Sequence, residues 1–238
     1  MRAEVRARIE RARVVAIVRS EDPDAALNAA RAIIDGGLDV VEISLTTPQA
    51  VEVIGALIRT TTACIGAGTV LTVAEVDRVA LAGAAFLVAP NLDESVVRTA
   101  VDAGLVVGPG VFTATECARA LAVGADYLKL FPAAVAGVAG LTALRGPFPA
   151  ARWLPTGGIG AADAAAWLAA GASAVGIGGR LTGGDPAAIT ARTRTLCAGL
   201  AGAEPTGLPA EPSPAHDPRH DPRHDPRHDP RHDQKASP

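Results

Sequence analysis

The chain has 238 residues, 49% of them hydrophobic but only 3% aromatic, and a formal net charge of -3. A core filled by Ala, Val, Leu and Ile rather than by rings suits a parallel sheet covered by helices, so the composition favours an α/β fold. The charge balance, with no basic face interleaved with aromatics, excludes a nucleic-acid partner, and no apolar run reaches the length of a membrane span.

The first residues, "MRAEVRARIERARVV", are charged and helical and carry no apolar h-region, so the expectation is a soluble, cytoplasmic protein that opens on a helix. From Val14 the text alternates short β-rich runs with Ala-rich amphipathic segments. The predicted strands are "VVAIVR" from Val14, "VVEISL" from Val40, "CIGAGTV" from Cys64, "FLVAP" from Phe86, "VVGPGV" from Val106, "YLKLFP" from Tyr127, "RWLPTGG" from Arg152 and "AVGIGG" from Ala174. Between them, helical patterns such as "PDAALNAARAIIDGG" and "TATECARALAVGA" stop at or near glycine, as helix C-termini do. Eight such units of roughly 23 residues predict a (β/α)8 TIM barrel over residues 1–200, with an additional N-terminal helix. An open doubly wound sheet is the alternative architecture, but no GxGxxG follows the first strand.

Beyond the barrel, residues 201–238 read as a disordered low-complexity tail. The repeat H-D-P-R recurs from His216, its prolines block regular hydrogen bonding, and little in it is apolar. Its evenly spaced histidines could hold a transition metal, although a solvated extension is the plainer reading. All five histidines of the chain are in this tail. Imidazole acid/base chemistry, histidine triads and His-ligated zinc are therefore excluded from the barrel, for which no metal and no cofactor are expected. The three cysteines, Cys64, Cys117 and Cys197, form no CxxC pair and read as small apolar residues in a reducing compartment.

In a barrel, side chains at the C-terminal ends of the strands converge on one mouth. Arg19 ends the first predicted strand, Glu42 lies in the second, Thr69 follows the third and Lys129 lies in the sixth. Thr156, Gly157 and Gly158 end the seventh, and Gly178 and Gly179 end the eighth. The glycine pairs would let backbone N–H groups approach a phosphate closely. Arg19 at an inner strand end suits a carboxylate or phosphate partner. Lys129 is one of only two lysines, the other being Lys235 in the tail. In an apolar strand its ammonium is disfavoured by desolvation, which exposes a nucleophilic amine able to form an iminium with a ketone. The competing reading is a snorkelling lysine, or one paired with Glu42, itself costly to bury without a partner or a task.

The segments "VEISLTTP", "GAGTV", "LKLFPA", "GPFP" and "PTGGI", in this order and at these intervals, resemble the KDPG/4-hydroxy-2-oxoglutarate aldolase family over residues 10–198. KDPG is 2-keto-3-deoxy-6-phosphogluconate, also written 2-dehydro-3-deoxy-6-phosphogluconate. The resemblance implies a metal-independent class I aldolase of the Entner-Doudoroff pathway that cleaves this substrate to pyruvate and glyceraldehyde 3-phosphate, with 4-hydroxy-2-oxoglutarate as a further candidate substrate. It implies catalytic Lys129 and Glu42, with Arg19, Thr69 and Thr156 at the pyruvate end and Gly157, Gly158, Gly178 and Gly179 around the phosphate. It also implies a homotrimer. Three positions depart from the pattern: Thr46 stands where one branch has a carboxylate-binding arginine, Ala134 replaces a frequent glutamate, and Gly179 replaces a frequent serine. Related 2-dehydro-3-deoxy-6-phosphogalactonate aldolases share most of the motifs, including a Pro-Gln pair matched by Pro48 and Gln49. Two other readings are a phosphosugar isomerase or epimerase with Glu42 as base, and a non-enzymatic barrel that binds phosphorylated ligands.

Overall fold

The computed structural model describes residues 1–201; the HDPR-repeat tail and its histidines lie outside the described residues. The predicted opening helix is α1 (Arg2–Ala12), and the chain then alternates strand and helix as the sequence pattern requires. The first four strands are β1 (Val14–Val18), β2 (Val40–Ser44), β3 (Cys64–Gly68) and β4 (Phe86–Val88). The fifth barrel position is split at Pro109 into β5 (Val106–Gly108) and β6 (Gly110–Val111). β7 (Lys129–Leu130) and β8 (Val175–Ile177) follow. Six of these form one parallel sheet in the order β5-β4-β3-β2-β1-β8.

Closure of the barrel is carried by shorter pieces. β6 pairs with β7 in parallel, and amides of Tyr127, Lys129 and Phe131 donate to the carbonyls of Val107, Pro109 and Val111 at 3.2, 3.0 and 3.2 Å. Single bridges join Leu128 to Trp153 and Thr156 to Gly176, which returns the ring to β8. The eighth strand pairs with the first, Val15 opposite Gly176. The predicted seventh strand, "RWLPTGG", is thus present only as bridges at Trp153 and Thr156. Pro155 has no N–H to give to β8, and Gly157 and Gly158, at φ 97° and 81°, turn the chain out of strand geometry.

The alternation of side chains across each strand builds two cores. The outer one packs Leu128, Leu130, Val41 and Ile43 against the helix ring. The inner one fills the lower barrel with Val15, Val40, Cys64, Phe86, Val106, Tyr127 and Leu154, mostly from strand beginnings. Helix α1 plugs that end, with Val5 and Ile9 entering the inner core. Arg2 and Arg6 hold the buried Asp126 at 2.7 and 3.1 Å, and Glu10 meets Arg152 at 2.8 Å. With the bottom sealed, only the C-terminal ends of the strands are left to form a chamber. Among the described residues no helix is long and apolar enough to cross a membrane.

Candidate active site

A cavity of about 460 Å³ opens at the C-terminal ends of the strands. All nine residues singled out in the sequence line it: Arg19, Glu42, Thr69, Lys129, Thr156, Gly157, Gly158, Gly178 and Gly179. Inward positions on β3 and β8 are glycine, and side chains from neighbouring strands fill the room that they leave. A Cβ on Gly68 would lie 1.6 Å from Glu42 Oε1, and one on Gly176 would lie 2.4 Å from Thr156 Oγ1. Glu42 and Thr156 therefore occupy room ceded by the neighbouring strand.

Lys129 is 5% exposed and Glu42 3%. Among the described residues neither side chain makes a hydrogen bond or an ion pair, so the polar end of each is left to the cavity. The Lys129 amine lies 5.3 Å from the centroid of the Phe131 ring, within cation-π range. Burial, the largest influence, pushes the Lys129 amine below its ordinary pKa; Glu42 opposes that shift and Arg19 adds to it. Burial likewise raises Glu42 above the usual carboxylate range, against the pull of Lys129 and Arg19. The amine is easier to deprotonate and the carboxyl easier to protonate, as proton exchange between substrate and protein requires. Burial pushes the Cys64 and Cys117 thiols up to about 11, which keeps them inert.

Thr69 is held at φ 60°, an uncommon conformation for a β-branched residue. Ser44 Oγ fixes it at 3.0 Å and also meets Thr46 Oγ1 at 2.9 Å, so a run of hydroxyls leads from the cavity to the exposed Thr46. At the opposite wall, the amides of Gly157, Gly158 and Gly178 donate no hydrogen bond within the described residues. Ala134 packs beside this turn, its N–H donating to the Gly157 carbonyl at 2.9 Å. Sequence reasoning passed over Phe131, Ser44 and Arg180. Ser44 shares the inward face of β2 with Glu42, which alternation alone could have revealed. Arg180 directly follows the glycine pair after β8 and also lines the cavity.

A parallel barrel with a buried lysine and carboxylate at its mouth is the frame of an enzyme, and comparison with known proteins gives its class as an aldolase, a carbon–carbon lyase. The chain belongs to the KDPG and KHG aldolase family, whose model matches residues 5–190. The 2-dehydro-3-deoxy-6-phosphogalactonate aldolase of Escherichia coli (strain K12) is 40% identical over 71% of this chain and 83% of that protein. The 2-dehydro-3-deoxy-phosphogluconate aldolase of Treponema pallidum (strain Nichols) is 40% identical over 63% of this chain and 73% of its own. Among solved structures, KDPG aldolase from Legionella pneumophila, with pyruvate captured as a covalent carbinolamine intermediate, superposes with a TM-score of 0.75. It is 29% identical, covering 82% of this chain and 98% of that one.

Proposed function

We propose that the protein is a class I aldolase that cleaves 2-dehydro-3-deoxy-6-phosphogluconate to pyruvate and glyceraldehyde 3-phosphate through a Schiff base on Lys129. The observation that carries this reading is the pairing of a buried, unbonded lysine and a buried, unbonded glutamate on the walls of one cavity. The covalent carbinolamine with pyruvate in the Legionella relative supports the same chemistry.

The neutral Lys129 amine attacks the C2 ketone to give a carbinolamine, which loses water to form an iminium. Glu42 takes the proton of the C4 hydroxyl as the C3–C4 bond breaks. Its electrons pass to the iminium nitrogen, leaving an enamine, and C4 departs as the aldehyde of glyceraldehyde 3-phosphate. Glu42 then returns the proton to C3, and water hydrolyses the iminium to pyruvate and free lysine. Arg19 holds the C1 carboxylate with Thr69 and Thr156 nearby, and the amides around Gly157, Gly158, Gly178 and Gly179 receive the phosphate. The iminium is the electron sink, so the reaction runs without metal or cofactor, and chelators are expected to leave it unchanged. In this reading the enzyme is cytoplasmic, acts on a small-molecule phosphorylated sugar acid and assembles as a homotrimer. Exposed Leu71 and Phe112, on loops at the mouth end, and exposed Val135, in the first turn of the helix Ala133–Arg145, support contact with further copies.

The test is mass spectrometry after incubation with pyruvate and borohydride. One adduct on Lys129 is expected, and Lys129→Arg should abolish both labelling and turnover, because a guanidinium stays protonated. Labelling at Lys235, or comparable turnover by the variant, would defeat the mechanism. A second reading, cleavage of the C4 epimer 2-dehydro-3-deoxy-6-phosphogalactonate, draws on the Escherichia coli relative, on the Pro48-Gln49 pair and on Thr46. Comparing kcat/KM for the two epimers decides between them.

A further inference from the structure

The cavity has cations at both ends. Lys129 and Arg19 stand with Glu42 at one; Arg180 stands at the other, beside the glycine turns that follow Thr156 and β8. Arg180 is the second residue of the short helix α9 (Gly179–Thr182), and its side chain is exposed at the mouth. Among the described residues it makes no ion pair. The acid at hand is Asp163: a Cβ on Gly160 would sit 3.3 Å from Asp163 Oδ2 and 3.4 Å from Arg180 Nη1. Asp163 Oδ2 accepts from the Gly160 amide at 2.9 Å and forms no ion pair with the guanidinium among the described residues. Nothing lies within 4 Å of a Cβ placed on Gly179, so the wall there carries no side chain of its own before Arg180.

Three amides without partners offer a phosphate hydrogen bonds but no countercharge. A dianion brought into a cavity that already contains the Glu42 carboxylate needs one. We propose that Arg180 is a specificity-determining residue of this enzyme, its planar fork binding the terminal phosphate dianion of the substrate and setting the preference for phosphorylated over unphosphorylated acceptors. The inference rests on the aldolase reading above and adds to it a charged partner for the phosphate that the glycine turns alone do not provide. The side chain is well suited to this: the guanidinium gives two parallel N–H donors to phosphate oxygens, where lysine gives a point charge. Its stem also lines the neighbouring apolar groove with Ala161, Ala162 and Ala165, so a purely packing role is the competing explanation that the experiment must separate.

The reaction is run towards condensation, with pyruvate and either glyceraldehyde 3-phosphate or unphosphorylated glyceraldehyde. For Arg180→Ala, kcat/KM with the phosphorylated aldehyde is expected to fall by roughly ten- to a hundredfold, while that with glyceraldehyde stays within about twofold. Arg180→Lys should recover part of the loss, and added salt should weaken the phosphate preference of wild type more than that of Arg180→Ala. Borohydride trapping of pyruvate on Lys129 should be unchanged in both variants. Absence of trapping in wild type would sink the aldolase reading. Intact trapping with an unchanged preference for the phosphorylated aldehyde, or with equal losses on both aldehydes, would overturn the role of Arg180 alone. Calorimetric titration with inorganic phosphate reads the same site without turnover: affinity should drop about tenfold in Arg180→Ala, and equal affinity in the two proteins counts against the proposal.

Discussion

Lys129 and Glu42 line the same cavity from β7 and β2, and burial drives each towards its neutral form. Glu42→Gln keeps the shape of the side chain but cannot carry a proton between the C4 hydroxyl and C3. Turnover is expected to fall by about 10² to 10⁴ with the fold intact, as measured by steady-state kinetics beside circular dichroism. Activity within a factor of two of wild type would remove Glu42 from the mechanism. The two charges also weigh on stability. Removing one leaves the other buried with less compensation, whereas replacing both by neutral groups of similar volume is often neutral or stabilising. The double variant Glu42→Gln/Lys129→Met should therefore melt at or above wild type at pH 7, and above Lys129→Met alone. The sign of the pH dependence follows from proton binding. The folded protein releases the Lys129 proton below the ordinary 10.5, so across that window the unfolded chain binds more protons at this residue and the contribution of Lys129 to wild-type stability rises with pH. The margin of the double variant over wild type should narrow as pH climbs towards 10.5, which calorimetry at a series of pH values checks.

The elements carry the site through what their inward positions lack. On β3, Gly68 leaves the volume that Glu42 fills, and Gly68→Ala would set a methyl on top of the carboxylate. The expected result is a folded protein whose turnover falls at least tenfold because the proton carrier has been displaced. Gly199→Ala serves as the control, since nothing lies within 4 Å of a Cβ there, the position is outside the cavity and turnover should change little. If Gly68→Ala turned over at the wild-type rate, Glu42 would have been shown to tolerate relocation. This layer was only partly legible in the sequence. The helix starts were open to reading: Thr72 with Glu75 and Thr113 with Glu116 form capping boxes, and Asp93 caps the next helix between them. Lys129 was legible because an ammonium in an apolar strand is costly enough to need a reason. Gly68 and Gly176, inside β3 and β8, carried no such signal, since which side chain fills the space a glycine leaves depends on a strand paired from elsewhere in the chain. The weak seventh position was hidden for the same kind of reason: "RWLP" has strand composition, and only the partner across the barrel reveals that Pro155 lacks the donor that β8 would accept.

At the scale of the whole molecule, chemistry and stability are assigned to opposite ends of the barrel. The mouth holds the cavity, while the bottom is closed by α1 through Val5, Ile9 and the arginines around Asp126. Asp126 is the hinge pin of that closure: it accepts from Arg2, from Arg6 and from the Val107 amide at 2.9 Å, tying α1 to β5 and to the strand that bears Lys129. Asp126→Ala would remove one acceptor from each of two partly buried guanidinium groups and from the buried Val107 amide, at a cost of about 2 to 4 kcal/mol. The expected outcome is a clear drop in melting temperature, with borohydride trapping on Lys129 and kcat near wild type at low temperature, because no catalytic group touches this end. The far terminus should behave in the opposite way. Helix α10 (Pro186–Ala201) lays Ile189, Leu196 and Leu200 against the barrel, and the repeat that follows offers little apolar surface to add to that contact. A chain ending at Ala203 should therefore keep both the melting temperature and the turnover of the full-length protein. A large loss of stability on that truncation would mean that residues after Ala203 pack on the barrel, and a loss of turnover at unchanged stability would mean that they reach its mouth.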